Sequence, residues 1–286
     1  MNENKSILPQ KHFYISRTSM NILKKIRTAL AEPRLQGKNP DTEEFLELHR
    51  QILMEKPMMR DVFAEVYKSC IDLDNKFFTG TGKCVEIGAG VSFFKKLYPE
   101  IIATDIKKAD YLDMVVDALN MPFENSSIRA IYGINCFHHF PDPDKFFSEL
   151  ERVLCVGGGC VLIDPFYGPV ASVFYKNVFD SEGFDKTQQS WSNDTLGVMM
   201  GANQALSYVV FKRDIEKFNR QHPKLEIVVQ RPLTNYGRYL LSGGLNFRQL
   251  LPNFMSPVLK FFEWLATPLS SVLGLHHVVV IRKKSA

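Results

Sequence analysis

Between Glu86 and Asp105 the chain holds the residue types that a nucleotide-like ligand needs. Residues 83–90 read KCVEIGAG, in which Cys84, Val85 and Ile87 form a short apolar run ended by Gly88 and Gly90. With no Cβ at either glycine, backbone can come very close to a ligand where a strand gives way to a helix. Asp105 closes the next apolar run, 17 positions after Gly88. An acid at the tip of a second strand is placed to hold the hydroxyl pair of a ribose. Further on, His138 and His139 are adjacent, and Tyr167 follows beyond the next apolar run. An imidazole with a pKa near neutrality can take the proton of an alcohol. One histidine of such a pair often only packs, so base and packing residue both stand as readings.

These residues need strands and helices to hold them. Residues 91–97 read as a short helix stopped by Pro99, and 111–116 as a third strand that delivers Asp117. Residues 130–135 read as a fourth strand. Asp142 and Pro143 then open a helix whose buried stripe is Phe146, Phe147, Leu150, Val153 and Leu154. Gly157 to Gly159 are expected to turn the chain into a fifth strand, 160–164, and later strands are expected at 225–229 and 276–282. Before all of these, helical spacing at Ile22, Leu23, Ile26 and Leu30, a start at Asp41 and a run over 61–71 predict three helices.

The dinucleotide fingerprint wants a glycine at position 93, where Phe93 stands, and the acid precedes the glycines as Glu86. That arrangement resembles motif I of the class I S-adenosylmethionine-dependent methyltransferases. Residues 115–133 and 134–165 resemble the family's later motifs in the small-molecule (type 11-like) branch. The resemblance implies an α/β, doubly wound, Rossmann-like fold with a seven-stranded, mostly parallel sheet and an antiparallel last strand. It implies S-adenosyl-L-methionine as cofactor, held by Glu86, Gly88, Ala89, Gly90, Asp105, Ile106, Asp117, Ala118, Asn135 and Phe137. Within that set Asp117 would reach the adenine amino group and the Ala118 amide a ring nitrogen. The same resemblance puts His138, His139 and Tyr167 near the transferred methyl group, and Phe13, Tyr14 or Tyr67 within reach of ligand. No metal ligands are assigned. The Asn/Asp-Pro-Pro-Tyr/Phe motif of amide- and amine-modifying relatives is replaced by Asn135-Cys-Phe-His, which disfavours DNA adenine and protein glutamine as acceptors.

The expected organisation is an N-terminal helical cap over 1–80 and a methyltransferase domain over 81–286, with substrate-side insertions at 166–224 and 231–275. The second insertion is strongly apolar and broken by Pro252, Pro257 and Pro268, with helix starts at Ser256 and Thr267. It suits a lid over an apolar pocket, a dimer surface or a segment lying on a membrane through 245–275. From Arg231 onward there are seven Lys/Arg against one acid, Glu263, so a basic C-terminal surface is expected.

At 286 residues, 45% hydrophobic and with a net charge of +4, the chain has ample core and no general nucleic-acid-binding character. Its five cysteines form no CxxC pair, which points to free thiols in a reducing compartment. Neither an apolar signal segment nor a run of 18 apolar residues is present, so a cytoplasmic chain, peripheral at most at the inner face of the membrane, is expected. The expected reaction is O-methylation of an amphipathic or lipid-linked saccharide-type acceptor in glycan biosynthesis. Alternatives are methylation of a soluble metabolite, a quinone or a lipid, and a non-catalytic methyltransferase-like binding protein. The last is disfavoured by the intact Glu86, Gly88, Gly90, Asp105 and Asp117.

Overall fold

A computed structural model describes residues 27–179, 182–192 and 202–285. Helices α1 (Glu43–Glu55) and α2 (Pro57–Phe77) precede β1 (Lys83–Ile87), α3 (Phe93–Leu97), β2 (Ile102–Asp105), β3 (Met114–Val115) and β4 (Ile128–Ile134). Then come α4 (Pro143–Val153), β5 (Leu154–Pro165), α5 (Pro169–Asn177), α6 (Ile215–Gln221) and β6 (Leu225–Pro232). Last are α7 (Tyr236–Leu241), α8 (Ser256–Leu265) and β7 (His276–Lys283). The strands form one sheet in the order β3-β2-β1-β4-β5-β7-β6. Strands β1 to β5 run parallel, and β7 is antiparallel to both of its neighbours, β5 and β6. The α/β architecture expected from the sequence is therefore present.

Both faces of the sheet are covered, as parallel strands require. Side chains alternate between faces along each strand. Cys160 and Leu162 of β5, with Val279 and Ile281 of β7, join α4 in one core. Val161, Ile163, Val278 and Val280 join Val66, Tyr67 and Cys70 of α2 in the other. Helix α4 begins where the Asp142 side chain accepts from the Lys145 amide at 3.1 Å. It then buries Phe146, Phe147, Leu150 and Val153 completely, each worth about 1.5–3 kcal/mol of transfer free energy. Helix α1 is capped in the same way by Thr42, and α2 opens on Pro57, four residues before the start read from the sequence.

Several expected boundaries move. The third strand is only Met114–Val115, not 111–116, because Tyr111 is drawn out of the sheet to lie under the Arg50 guanidinium of α1, 4.2 Å from its ring. Gly157 to Gly159 do not form a turn. They lie inside a β5 that runs on to Leu154, at an irregularity in its pairing with β4. A Cβ on Gly159 would stand 2.2 Å from the Phe78 ring, so close packing is what demands glycine there. Of the first expected helix, residues 27–30 are helical, while Ile22, Leu23, Ile26, Phe13 and Tyr14 lie outside the described residues. All five cysteines are free, three of them buried.

One feature of β7 makes the fold sensitive to acid. His277 is fully buried, neither ring nitrogen has a hydrogen-bond partner, and burial pushes its pKa down to about 4, only partly opposed by the charge of Asp164. The unfolded chain therefore binds a proton between pH 6.5 and 4 that the folded chain refuses. Stability is complete above about 6.5 and falls as the pH drops towards 4, by on the order of 3 kcal/mol for this residue. Melting temperatures recorded from pH 7.5 to 4.5 should fall less steeply for His277→Leu than for the wild type. Equal slopes would show that His277 contributes nothing to acid lability.

Candidate active site

The carboxyl ends of β1, β2, β4 and β5 open into one cavity of about 970 Å³, where ligands of open α/β sheets bind. At its floor, β1 ends in a turn with Gly88 at φ +61° and Gly90 at φ +49°. The turn is fastened to β2. The Ala89 amide donates to the Thr104 carbonyl at 2.9 Å, and the Asp105 carboxylate accepts from the Gly90 and Lys107 amides, both at 2.9 Å. A Cβ on Gly88 would meet that of Cys136 at 2.7 Å, whereas one on Gly90 would enter open space. Bare backbone at Gly90 thus faces the cavity, with room for a ligand pressed against it.

Glu86 lies beneath this turn, 2% exposed, with Oε2 unpartnered. Burial first, and the nearby Asp105 carboxylate second, hold its pKa well above the usual carboxylate range. Asn135, at the end of β4, is a non-glycine residue in the left-handed region (φ +54°), and its buried Oδ1 also lacks a partner. Two orphaned oxygens and a strained residue at one cavity floor fit a polar ligand that completes them. Ala89, Ile106, Asp117 and Ala118 also line the cavity. Asp117 Oδ1 accepts from the Leu119 amide at 2.8 Å, so this exposed acid forms a turn as well as facing the site.

Two expected site residues lie elsewhere. The Phe137 side chain, 1% exposed, is buried among Phe146, Phe147 and Phe211 because the turn after β4 points it into the core behind the cavity. Tyr167 is absent from the cavity wall. Its ring packs with Phe166, Tyr208 and His277, and its hydroxyl accepts from Gln230 Nε2 at 3.0 Å.

His138 and His139, on a single 3₁₀ turn (Phe137–His139), do line the cavity, with ring centroids 4.2 Å apart. His138 is clamped by two acids: Nδ1 is 2.7 Å from Asp164 Oδ1, and Nε2 is 3.3 Å from Glu182 Oε2. Asp164 is itself held by the Ser207 hydroxyl at 3.0 Å. Burial alone would lower the His138 pKa, but the charges and hydrogen bonds of Asp164 and Glu182 outweigh it and push it up to about 10. Burial and the charge of His138 push His139 down to about 4, and its Nδ1 has no partner. His138 therefore holds its proton at neutral pH and is no base in this arrangement. Of the expected pair, only His139 offers a free nitrogen. Glu182 and Asp164 were not singled out from the sequence, although an acid ending the fifth strand is a signal of the same kind as Asp105.

The upper walls come from both insertions and the N-terminal helices. Phe174, Phe179 and Glu182 belong to the first insertion, Tyr239, Leu241 and Phe247 to the second, and Phe45, Phe63 and Tyr67 to α1 and α2. Lys56 ties α1 and α2 to this wall by donating to the Gly244 and Phe247 carbonyls. Of the seven basic residues from Arg231 onward, Arg231, Arg248 and Lys284 are exposed, whereas others are drawn into pairs. Arg238 is buried between Glu65 and Glu263, and Lys260 pairs with Glu65. Arg282 pairs with Glu226, and Lys283 donates to the Glu151 and Leu154 carbonyls at the edge of the sheet remote from the cavity.

Residues 85–162, which contain the glycine turn, Asp105, Asp117 and the histidine pair, match the family model of a methyltransferase domain. That stretch of the chain is thus similar to a methyltransferase domain, the resemblance that the glycine turn and the acids after it carry in the sequence. The chain is 37% identical over 49 residues to the chloroplastic tocopherol O-methyltransferase of Arabidopsis thaliana, covering 17% of this chain and 14% of that protein. It is 32% identical over 92 residues to norajmaline N-methyltransferase of Rauvolfia serpentina, covering 29% and 32%. The chain thus matches less than a third of the length of either relative. Among solved structures it resembles geranyl diphosphate C-methyltransferase from Streptomyces coelicolor at 12% identity, with 89% of each chain covered and a TM-score of 0.48.

If the glycine turn is the cofactor seat, Gly88→Ala should damage it twice, through the Cys136 clash and through the left-handed backbone. Calorimetric affinity for S-adenosylmethionine should fall at least tenfold, and the melting temperature should drop. Asp105→Asn, which keeps the shape but loses charge-assisted acceptors worth about 1.5–3 kcal/mol, should weaken cofactor binding with less loss of stability. Wild-type affinity in both variants would remove the turn from the site.

Proposed function

We propose that the protein transfers a methyl group from S-adenosylmethionine to a hydroxyl oxygen of an amphipathic acceptor with a long apolar portion, with lipid-linked saccharides as the favoured class. The observation that carries this reading is a large cavity with aromatic and aliphatic walls, one of whose residues, Leu250, is also exposed at the surface. Leu250 belongs to the cavity wall and is itself 46% exposed. Next to it along the chain come Phe254 (76% exposed), Phe261, Phe262, Trp264 (67%), Leu265 and Leu269. The cavity's volume of about 970 Å³ lies at the upper end of the range for a single ligand site, which suits a cofactor and an acceptor together.

Within that space the chain's own groups divide the work. The glycine turn, Glu86, Asp105 and Asn135 would hold the cofactor, which when bound supplies an electrophilic methyl on a sulfonium. Transfer is an in-line displacement, so placing the acceptor oxygen against that methyl is the main task. Glu182 and the free nitrogen of His139 are polar groups of the cavity wall that can orient a hydroxyl, and that nitrogen can take the proton the oxygen loses as the methyl is transferred. The walls formed by Phe45, Phe63, Phe174, Phe179 and Leu241 exclude water and accept a hydrocarbon chain.

The exposed segment would rest on a bilayer. Among the described residues no helix is long and apolar enough to cross a membrane. Helix α8, at ten residues, is about 15 Å long and can only lie at the interface. Because Phe254, Phe262 and Trp264 are each more than half exposed, apolar burial would be the main drive of the contact. Wild-type protein should float with lipid vesicles at both low and high salt, and Phe262→Ser with Trp264→Ser should abolish flotation while leaving cofactor binding intact. Protein left wholly in the soluble fraction would remove the membrane contact. The acceptor class is tested separately, by incubating the protein with methyl-labelled cofactor and cell extract. Label in the organic-soluble fraction is expected, and label confined to aqueous metabolites would overturn the proposal.

A further inference from the structure

We propose that His138, His139 and Glu182 bind a divalent transition-metal ion at the acceptor end of the cavity. Each residue offers one donor atom, and the three donors lie within 4.8 Å of one another. His138 Nε2 and Glu182 Oε2 are 3.3 Å apart. Donors bound to one ion at about 2.0–2.2 Å stand about 3.0–3.6 Å from each other in tetrahedral or octahedral geometry. An ion pair between His138 and Glu182 would explain two of the three groups. It would leave His139 Nδ1 buried beside them with nothing to bond. A cation accounts for all three.

The surroundings are built in the way that orients a ligating imidazole. His138 Nδ1 lies 2.7 Å from Asp164 Oδ1, and Asp164 Oδ2 accepts from the Ser207 hydroxyl at 3.0 Å. Once an ion replaces the Nε2 proton, which passes to solvent, a histidine that donates its Nδ1 proton to a carboxylate presents the Nε2 lone pair to the ion at a fixed angle. The turn is further fixed by the Asn203 amide, which donates to the His138 carbonyl at 3.1 Å. On the far side the loop carrying Glu182 is held by the Gln204 amide, which donates to the Gly183 carbonyl at 3.2 Å. Two imidazoles and one carboxylate select zinc, iron(II), cobalt(II) or a similar ion over magnesium or calcium, which prefer all-oxygen sites. Three protein donors leave coordination positions open, and all three residues line the cavity. The site would hold and polarise the acceptor oxygen; that role, unlike the binding itself, rests on the acceptor proposed above.

The test reads binding with no acceptor present, so it succeeds or fails independently of the methyl-transfer assay. Full-length protein is freed of metal with a chelator and titrated with Zn²⁺ by calorimetry and with Co²⁺ by visible absorption. One ion per chain is expected, with a Co²⁺ spectrum of nitrogen-containing ligation and no competition from Mg²⁺. Glu182→Gln and His139→Asn should each weaken Zn²⁺ at least tenfold while retaining S-adenosylmethionine binding and the wild-type melting temperature of the metal-free protein. Asp164→Asn, which removes only the orienting group, should lower affinity 10–100-fold. If Asp164→Asn does not fold, the Glu182 and His139 variants decide the matter. Absence of ion binding by the wild type, or equal binding by both of those variants, overturns the proposal and leaves the cluster as a buried ion pair.

Discussion

A parallel strand that stops inside a protein leaves backbone amides with no strand to pair them, and here the Asp105 carboxylate takes over that duty. It accepts from the Gly90 amide of the turn after β1 and from the Lys107 amide beyond β2. A single side chain therefore fixes the spacing between two strand ends and keeps the left-handed glycine turn open to the cavity. The arrangement has an electrostatic consequence directly below it. Glu86 is buried and near a second carboxylate, which together raise its pKa, and one of its oxygens is left unmatched. The site's floor is thus unsatisfied until something binds, which is how a pocket can be both folded and selective.

The sheet was legible because its signals are local. Gly88, Gly90 and Asp105 mark strand ends by composition, and Asp142-Pro143 marks a helix start by hydrogen-bonding capacity. The residues that failed did so for reasons of direction. Phe137 and Tyr167 have the right sequence positions, but neighbouring aromatics turn Phe137 into the core and Tyr167 away from the cavity. Glu182 was not legible at all. It lies 44 positions beyond His138 in a connection without strand or motif, and only the tertiary fold brings them within 3.3 Å. The third strand was overread because Tyr111 has high strand propensity, and a single guanidinium of α1 outweighs that preference.

Charge was read less well than shape. A tally of seven basic residues says nothing about where each side chain goes, and the fold spends several of them internally. Arg238 is only 3% exposed and bridges Glu65 of α2 to Glu263 of α8. Lys56 is buried against backbone carbonyls of the second insertion. These interactions hold the walls of the cavity.

Arg238 and Glu65 are 173 positions apart, and Lys56 reaches carbonyls more than 180 positions away. The parallel strands β1, β2, β4 and β5, by contrast, occupy a single stretch of about eighty residues. Closing a long loop costs entropy before any contact repays it, so non-local contacts tend to form after local ones. Assembly would then proceed from the glycine turn outward, with the roof completed only when the two ends of the chain meet. During synthesis the cofactor floor could be in place while the acceptor half is still missing. The apolar wall residues of the second insertion would emerge after α1 and α2, whose residues share the cavity wall with them, which shortens the time such a segment spends exposed to other chains.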